Sequence, residues 1–270
     1  MKKIIISICV TVLTVMCLSG CFTKGEKIIT DGSTSMERVI GGLGEAFMNK
    51  NGDVNFSYNP TGSGAGISSV ANGICDIGLS SRALRSEEIN KGLKAEIVAY
   101  DGIAIIVNKE NPVKNLDLKI LKEIFTGKIT NWKDISGLDE SIVLIGREAG
   151  SGTRDGFEQN TKTMDLCVYR QELTSSGEVI TSVSQNPGAI GYVSLASVKD
   201  TVNMVSVSGV EANEENVASG SYSIRSAFYL ITKGELTEVA KRFYEYTFSK
   251  EAGDIIRAMG AVPATNTENG

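Results

Sequence analysis

Three short runs of glycine, serine and threonine hold the densest chemistry in this sequence: Gly32-Ser33-Thr34-Ser35, Gly62-Ser63-Gly64-Ala65-Gly66 and Gly150-Ser151-Gly152-Thr153. Each stands where a strand-like run ends and a helical pattern begins. Such a turn offers unpaired backbone N–H groups, the positive end of a helix dipole and short hydroxyls. Glycine lets a ligand approach the backbone closely. One turn of this kind is ordinarily a helix cap, because Ser and Thr favour that position. Three of them, each at the carboxyl end of a strand, describe the rim of an open α/β sheet, where ligands sit. Arg147 ends the Ile142–Ile145 strand and lies four residues before Ser151. Its planar guanidinium can fork onto two oxygens of a tetrahedral oxyanion, or pair with neighbouring Glu148. Arg82, after the Asp76–Leu79 strand, is a second candidate of the same type. This inventory suits binding a small oxyanion without reacting with it.

What is missing narrows the chemistry further. The sequence has 270 residues and no histidine. Ser-His-Asp and Cys-His nucleophile systems, His general bases and His-ligated metals are therefore excluded. Gly62 to Gly66 reads G-x-G-x-G, which is not the dinucleotide fingerprint, and no Gly-Lys-Ser/Thr phosphate loop occurs. No G-x-S-x-G or S-x-x-K run supports serine-hydrolase chemistry. No catalytic residue, metal ligand set or cofactor is indicated. The formal charge is −5 without a long basic run, which argues against a nucleic-acid partner.

The elements that must carry these turns follow from periodicity. Lys27–Thr30, Val54–Tyr58 and Asp76–Leu79 read as strands. Met36, Val39, Ile40, Leu43 and Phe47 recur at helical spacing, as do Ile67, Val70, Ala71 and Ile74. Glu96–Tyr100 and Gly102–Asn108 read as two further strands. In the second half, Leu118, Leu121 and Phe125 mark a helix, and Ile142–Ile145 a buried strand. A helix is expected from Gly152 through Phe157, another over Glu178–Ser184, and strands over Ala189–Val193 and Ala227–Thr232. Glu238–Phe248 is amphipathic, and the polar tail from Thr265 reads as frayed. The β-α-β order predicts an α/β fold with a mostly parallel sheet. With no linker-like stretch, it predicts two lobes joined by strands: 27–102 with 228–270, and 103–227.

The N-terminus reads as an address. Lys2 and Lys3 precede a 15-residue, mostly apolar stretch from Ile4 to Leu18, too short for a membrane span and right for a signal peptide over 1–20. Leu18-Ser19-Gly20-Cys21 resembles a bacterial lipobox, which makes Cys21 the lipidated first residue of the mature chain and 21–26 a tether. The expected location is extracytoplasmic, anchored to the cell membrane. Cys75 and Cys167 then remain, either paired or as two buried thiols.

Several ordered motifs together resemble the phosphate-binding (PstS-type) lipoproteins of bacterial ABC importers. They are Thr30-Asp31-Gly32-Ser33-Thr34-Ser35, Thr61 to Gly66, Asp76 to Arg82, Trp132-Lys133-Asp134, Arg147 to Arg154 and Asn186 to Val193. The similarity covers essentially the whole mature chain. It implies a periplasmic-binding-protein-like (type II) fold whose two α/β lobes are joined by hinge strands and close on phosphate. Carried over position by position, Thr34, Ser35, Ser63 and Ser81 would contribute from the first lobe. Arg147 would make the ionic contact, beside Ser151, Gly152 and Thr153. One departure stands out. Some family members have an aspartate where this chain has Ser81, and that carboxylate accepts the proton of hydrogen phosphate. The partners implied are inorganic phosphate and the importer's permease, with the protein a monomer. The alternatives are a binder of sulfate, molybdate or another tetrahedral oxyanion, and an exported phosphatase holding phosphate as product.

Overall fold

The computed structural model describes residues 25–135 and 137–264. The segment read as a signal peptide, Cys21 and the tail from Thr265 lie outside them. Along the chain the order is β1 (Glu26–Gly32), α1 (Glu37–Lys50), β2 (Val54–Asn59), α2 (Ser63–Ala71), β3 (Ile77–Ser80), α3 (Ser86–Ile89), β4 (Leu93–Val107), β5 (Asn115–Leu116), α4 (Leu118–Phe125), β6 (Val143–Arg147), α5 (Gly152–Thr161), β7 (Gln171–Leu173), α6 (Ser176–Ser184), β8 (Ala189–Ser194), β9 (Asn203–Val207), α7 (Glu214–Ser219), β10 (Arg225–Lys233), α8 (Glu238–Tyr246), α9 (Lys250–Ala258) and β11 (Val262–Pro263).

The strands run β2-β1-β3-β10-β4-β8-β6-β7 across the sheet. β1 pairs in parallel with β2 and β3, and β6 in parallel with β7 and β8. Each parallel set is an α/β unit, and antiparallel β10 and β4 lie between them. β4 joins the two units. It pairs with β10 from Leu93 to Gly102 and with β8 from Ile103 to Val107.

Each unit has its own core. In the first lobe, Val39, Ile40, Leu43 and Phe47 of α1 pack with Ile28, Leu79, Phe228 and Phe243. Their helical spacing places them on one side of α1, so the helix covers the sheet with a continuous apolar stripe. In the second lobe, Phe125, Trp132, Phe157 and Tyr192 pack around Ile105 and Val205. The Phe157 and Tyr192 rings stack 4.1 Å apart. Cys75 and Cys167 are both free thiols, the former in a first-lobe cluster and the latter against the second core.

Several elements differ from their sequence reading. The strands read over Glu96–Tyr100 and Gly102–Asn108 are one continuous strand, β4, which ends at Val107. Asp101 suggests a break between them, yet its carboxyl is buried and accepts the Ala196 N–H at 3.3 Å. Burial pushes that carboxyl's pKa up to about 7. Helix α2 stops at Ala71, because the chain turns through Gly73 at φ +69°, and this leaves Ile74 exposed. α5 continues past Phe157 to Thr161, and a separate helix, α9, follows α8.

Candidate functional site

The three turns occupy the same position in their units, at the carboxyl ends of β1, β2 and β6, and each leads into a helix. The first is shaped by Gly32, at φ +139°, where a Cβ would stand 2.1 Å from the Leu79 carbonyl oxygen. The Ser33 N–H donates to that same carbonyl at 2.9 Å. Thr34 and Ser35 follow in a 3₁₀ turn that opens α1. The second turn is tied to the first, since the Gly62 N–H donates to the Gly32 carbonyl at 2.8 Å. In the third, Ser151 caps α5 by accepting the Arg154 N–H, and Gly152 and Thr153 form the first turn of that helix.

These turns meet across the cleft between the lobes. Ser35 Oγ lies 2.6 Å from Thr153 Oγ1, and the Gly64 N–H donates to the Gly150 carbonyl at 3.0 Å. Ser81 joins at the end of β3. Its Oγ accepts from Ser33 Oγ at 3.0 Å and lies 3.2 Å from Ser63 Oγ. Gly152 stands against this group, with the position of a Cβ only 2.6 Å from both Ser63 Oγ and Ser81 Oγ. Thr34, Ser35, Ser63, Ser81, Arg147, Ser151 and Thr153 are each no more than 3% exposed. Of the residues singled out from sequence, all but Arg82 are therefore brought to one buried junction. Ser151 serves there chiefly as the helix cap.

Arg147 reaches the junction from the end of β6. Its Nε and Nη2 fork onto the two Glu148 carboxylate oxygens at 3.1 and 3.0 Å. The same two nitrogens also donate to the Leu173 and Thr174 carbonyls. Of the two sequence readings of Arg147, the pairing with Glu148 is the one seen here. It pairs with Glu148, but the pair is held inside the cleft, with the arginine side chain 2% exposed. Nη1 makes a single long contact, 3.5 Å to Ser176 Oγ. That leaves one edge of the guanidinium directed at the hydroxyls.

Ser176 escaped the sequence reading. It is buried at the start of α6. Its N–H donates to Thr34 Oγ1 at 3.4 Å, and its Oγ lies 3.4 Å from Ser35 Oγ. The signal was present in Thr174-Ser175-Ser176-Gly177, a fourth Ser/Gly turn. The strand before it, β7, spans only Gln171–Leu173 with a single partner, β6, too short to show a period. Tyr58 supports the first turn by donating its hydroxyl to the Ser33 carbonyl at 2.8 Å. Burial, reinforced by the Glu37 and Asp31 charges, raises its pKa and keeps it a neutral donor.

Arg82 lies apart from this group. Its two terminal nitrogens fork onto Glu88 at 2.8 Å each, so its guanidinium is engaged outside the hydroxyl junction. Arg154 is likewise occupied, with Glu158, Glu172 and the Arg147 carbonyl.

The junction is a set of buried donors held by two lobes around one cation edge. It can surround a small tetrahedral anion and replace its hydration shell with hydroxyls and N–H groups. Known proteins resemble this chain over most of its length. The PBP superfamily domain matches residues 23–251. The phosphate-binding protein PstS of Bacillus subtilis is 36% identical over 254 residues, covering 90% of this chain and 84% of its own. PstS of Borreliella burgdorferi is 30% identical over 275 residues, covering 96% and 98%. Among solved structures, one from Clostridium perfringens is described as a phosphate ABC transporter substrate-binding protein with bound phosphate. It shares 43% identity and a TM-score of 0.86, over 89% of this chain and 100% of that one. An ABC-type phosphate transport receptor from Vibrio cholerae follows at 31% identity and a TM-score of 0.70, over 88% and 100%. The family model spans most of the chain and these relatives match it over most of their own length, so the chain belongs to the PBP superfamily and, within it, to the PstS phosphate-binding proteins.

Proposed function

We propose that this protein captures inorganic phosphate between its two lobes outside the cytoplasm and delivers it to the permease of an ABC importer. The observation that carries the reading is the meeting of buried hydroxyls from both lobes beside Arg147, whose Nη1 reaches them through Ser176. In this reading Thr34, Ser35, Ser63, Ser81, Gly152 and Thr153 surround the anion with hydroxyls and N–H groups. Ser151 fixes the helix start and Ser176 adds one further donor. The lobes divide within β4 near Gly102 and again near the start of β10. The chain acts as a monomeric binding protein without turnover, held at the membrane by lipid on Cys21. Ser81 gives specific support to a second oxyanion. A hydroxyl can donate as well as accept, so sulfate meets less repulsion there than from a carboxylate.

Calorimetric titration with phosphate and sulfate tests the proposal. Wild type is expected to bind phosphate in preference to sulfate. Arg147→Ala removes a charge-assisted contact of about 1.5–3 kcal/mol, so binding should weaken at least about tenfold. Ser176→Ala should weaken it less. Equal affinity for sulfate, or unchanged phosphate affinity in a folded Arg147→Ala protein, would overturn the assignment.

A further inference from the structure

Arg82 follows Ser81 directly, yet its guanidinium is held away from the hydroxyl junction. Glu88, on α3 of the first lobe, accepts from both terminal nitrogens at 2.8 Å each. The same carboxylate accepts the Arg85 N–H at 2.7 Å. This double anchorage fixes the Arg82 guanidinium and turns its remaining edge outward. That edge faces the second lobe. Arg82 Nε lies 3.3 Å from Asp155 Oδ2, on α5. Among the described residues, Nε is the buried side-chain nitrogen left without a hydrogen bond, so this is a charge contact rather than an aligned bond. Arg85 Nη2 also donates to Asp155 Oδ2, at 3.3 Å. Asp155 is thus clasped by two arginines of the opposite lobe.

The surroundings give the clasp its strength. The Arg82 side chain is 9% exposed, Glu88 14% and Asp155 24%, whereas Arg85 is 55% exposed, so the Arg82–Asp155 pair is the shielded half of the clasp. An ion pair so far removed from solvent is screened less than one on the open surface. Position matters as much. Arg82 is the next residue after Ser81, and Asp155 lies two residues after Thr153 on the same helix turn. Bringing Arg82 and Asp155 together therefore also seats the two halves of the hydroxyl junction against each other. Opening the cleft separates them and returns Asp155 to water, while the Arg82–Glu88 pair stays intact within the first lobe.

We infer that Arg82, Arg85 and Asp155 form an electrostatic latch that favours the closed arrangement of the lobes and slows ligand release. The hydrogen bonds and ion pairs of the three side chains lie outside the hydroxyl junction, so they are positioning residues. The inference rests on the phosphate reading for its choice of ligand only. By raising the fraction of closed protein, the latch raises apparent affinity without adding a contact to the anion.

The sign of one substitution separates this role from simple electrostatics. Asp155 is a negative charge in the first helical turn beside the anion site. Without a latch, Asp155→Asn would leave phosphate affinity unchanged or improve it. With a latch, phosphate release should accelerate about fivefold, the range expected of one partly shielded ion pair. The association rate should change little. The difference from wild type should shrink in about 0.5 M NaCl, as screening weakens the pair. Asp155→Lys should release phosphate faster still, and adding Arg85→Glu should recover part of the loss. Small-angle scattering of the ligand-free proteins gives a second readout that does not depend on phosphate. Wild type at low salt should be more compact than Asp155→Asn. Unchanged or slower release from Asp155→Asn overturns the latch, as do identical scattering profiles. A wild type that fails to bind phosphate overturns the ligand assignment, and the scattering comparison then decides the latch alone.

Discussion

Gly152→Ala is a small change in the wrong place. Gly152 is the first residue of α5 and has ordinary backbone angles. Alanine is the better helix former, so the second lobe should fold at least as well. The effect falls on closure. The added methyl would stand 2.6 Å from Ser63 Oγ and Ser81 Oγ and 2.8 Å from the Ser81 carbonyl carbon, where ordinary contact begins at 3.4 Å. The hydroxyls can rotate away, but the backbone carbon cannot. The lobes must therefore stand apart by about 0.6 Å or more at this point. A separation of that size stretches the 2.6 Å Ser35–Thr153 contact and the 3.0 Å Gly64–Gly150 bond towards the limit of hydrogen bonding. An anion held by both lobes then loses good geometry on one side. Two neutral hydrogen bonds at about 0.5–1.5 kcal/mol each and one charge-assisted bond at about 1.5–3 kcal/mol are at stake. Losing about 3–4 kcal/mol of this corresponds to roughly 100- to 1,000-fold weaker phosphate binding. Titration calorimetry reads the affinity, and a thermal melt of the ligand-free variant shows that folding is intact. A Gly152→Ala protein that binds phosphate as tightly as wild type would refute the claim that the ligand is enclosed by lobes packed this closely.

Ser81→Asp should widen the preference for phosphate over sulfate, because a carboxylate accepts the proton of hydrogen phosphate and repels an oxygen of sulfate. Ser33 and Ser63 stand ready to donate to it. Competition between the two anions at neutral pH measures the ratio, and an unchanged ratio would mean that another acceptor sets the selectivity. Asp101 makes a pH prediction. Its folded-state pKa of about 7 lies above the ordinary 3.8, so the folded chain favours the protonated acid. Stability should be highest on the acid side of that carboxyl's range and decline as pH rises from about 4 to about 7, by at most roughly 4 kcal/mol. Asp101→Asn should lose this decline and melt higher than wild type at pH 8. Parallel melting curves of the two proteins against pH would exclude Asp101 as the source. Cys21→Ser should abolish acylation and move the protein from the membrane to the soluble fraction, and retention of the variant at the membrane would remove the lipid anchor.

The sequence by itself determined the α/β order, the turns and the ligand class. Those features are local. Helical spacing from Met36 to Phe47, apolar strands ending in glycine and serine, and the Arg147 to Thr153 run all act within a few residues. Composition also spoke directly, since a chain without histidine has closed off whole classes of chemistry. Asp101 shows where local reading stopped. A carboxylate between two apolar runs reads as a break, and only the Ala196 N–H and the packing around β4 let the strand pass through it. Ser176 was hidden for a related reason, because β7 is three residues long and its place at the sheet edge comes from pairing with β6. Arg82 and Arg147 are the sharper case. Both follow buried strands and both carry the same fork, so sequence offered them the same role. Tertiary structure separated them. Glu88 takes both terminal nitrogens of Arg82 and leaves its remaining edge facing Asp155 across the cleft, whereas Glu148 and two carbonyls leave the Nη1 edge of Arg147 for the hydroxyls. A charged side chain's task depends on which partners claim its hydrogen bonds first, and here the partners lie on segments that only folding and lobe closure bring within reach.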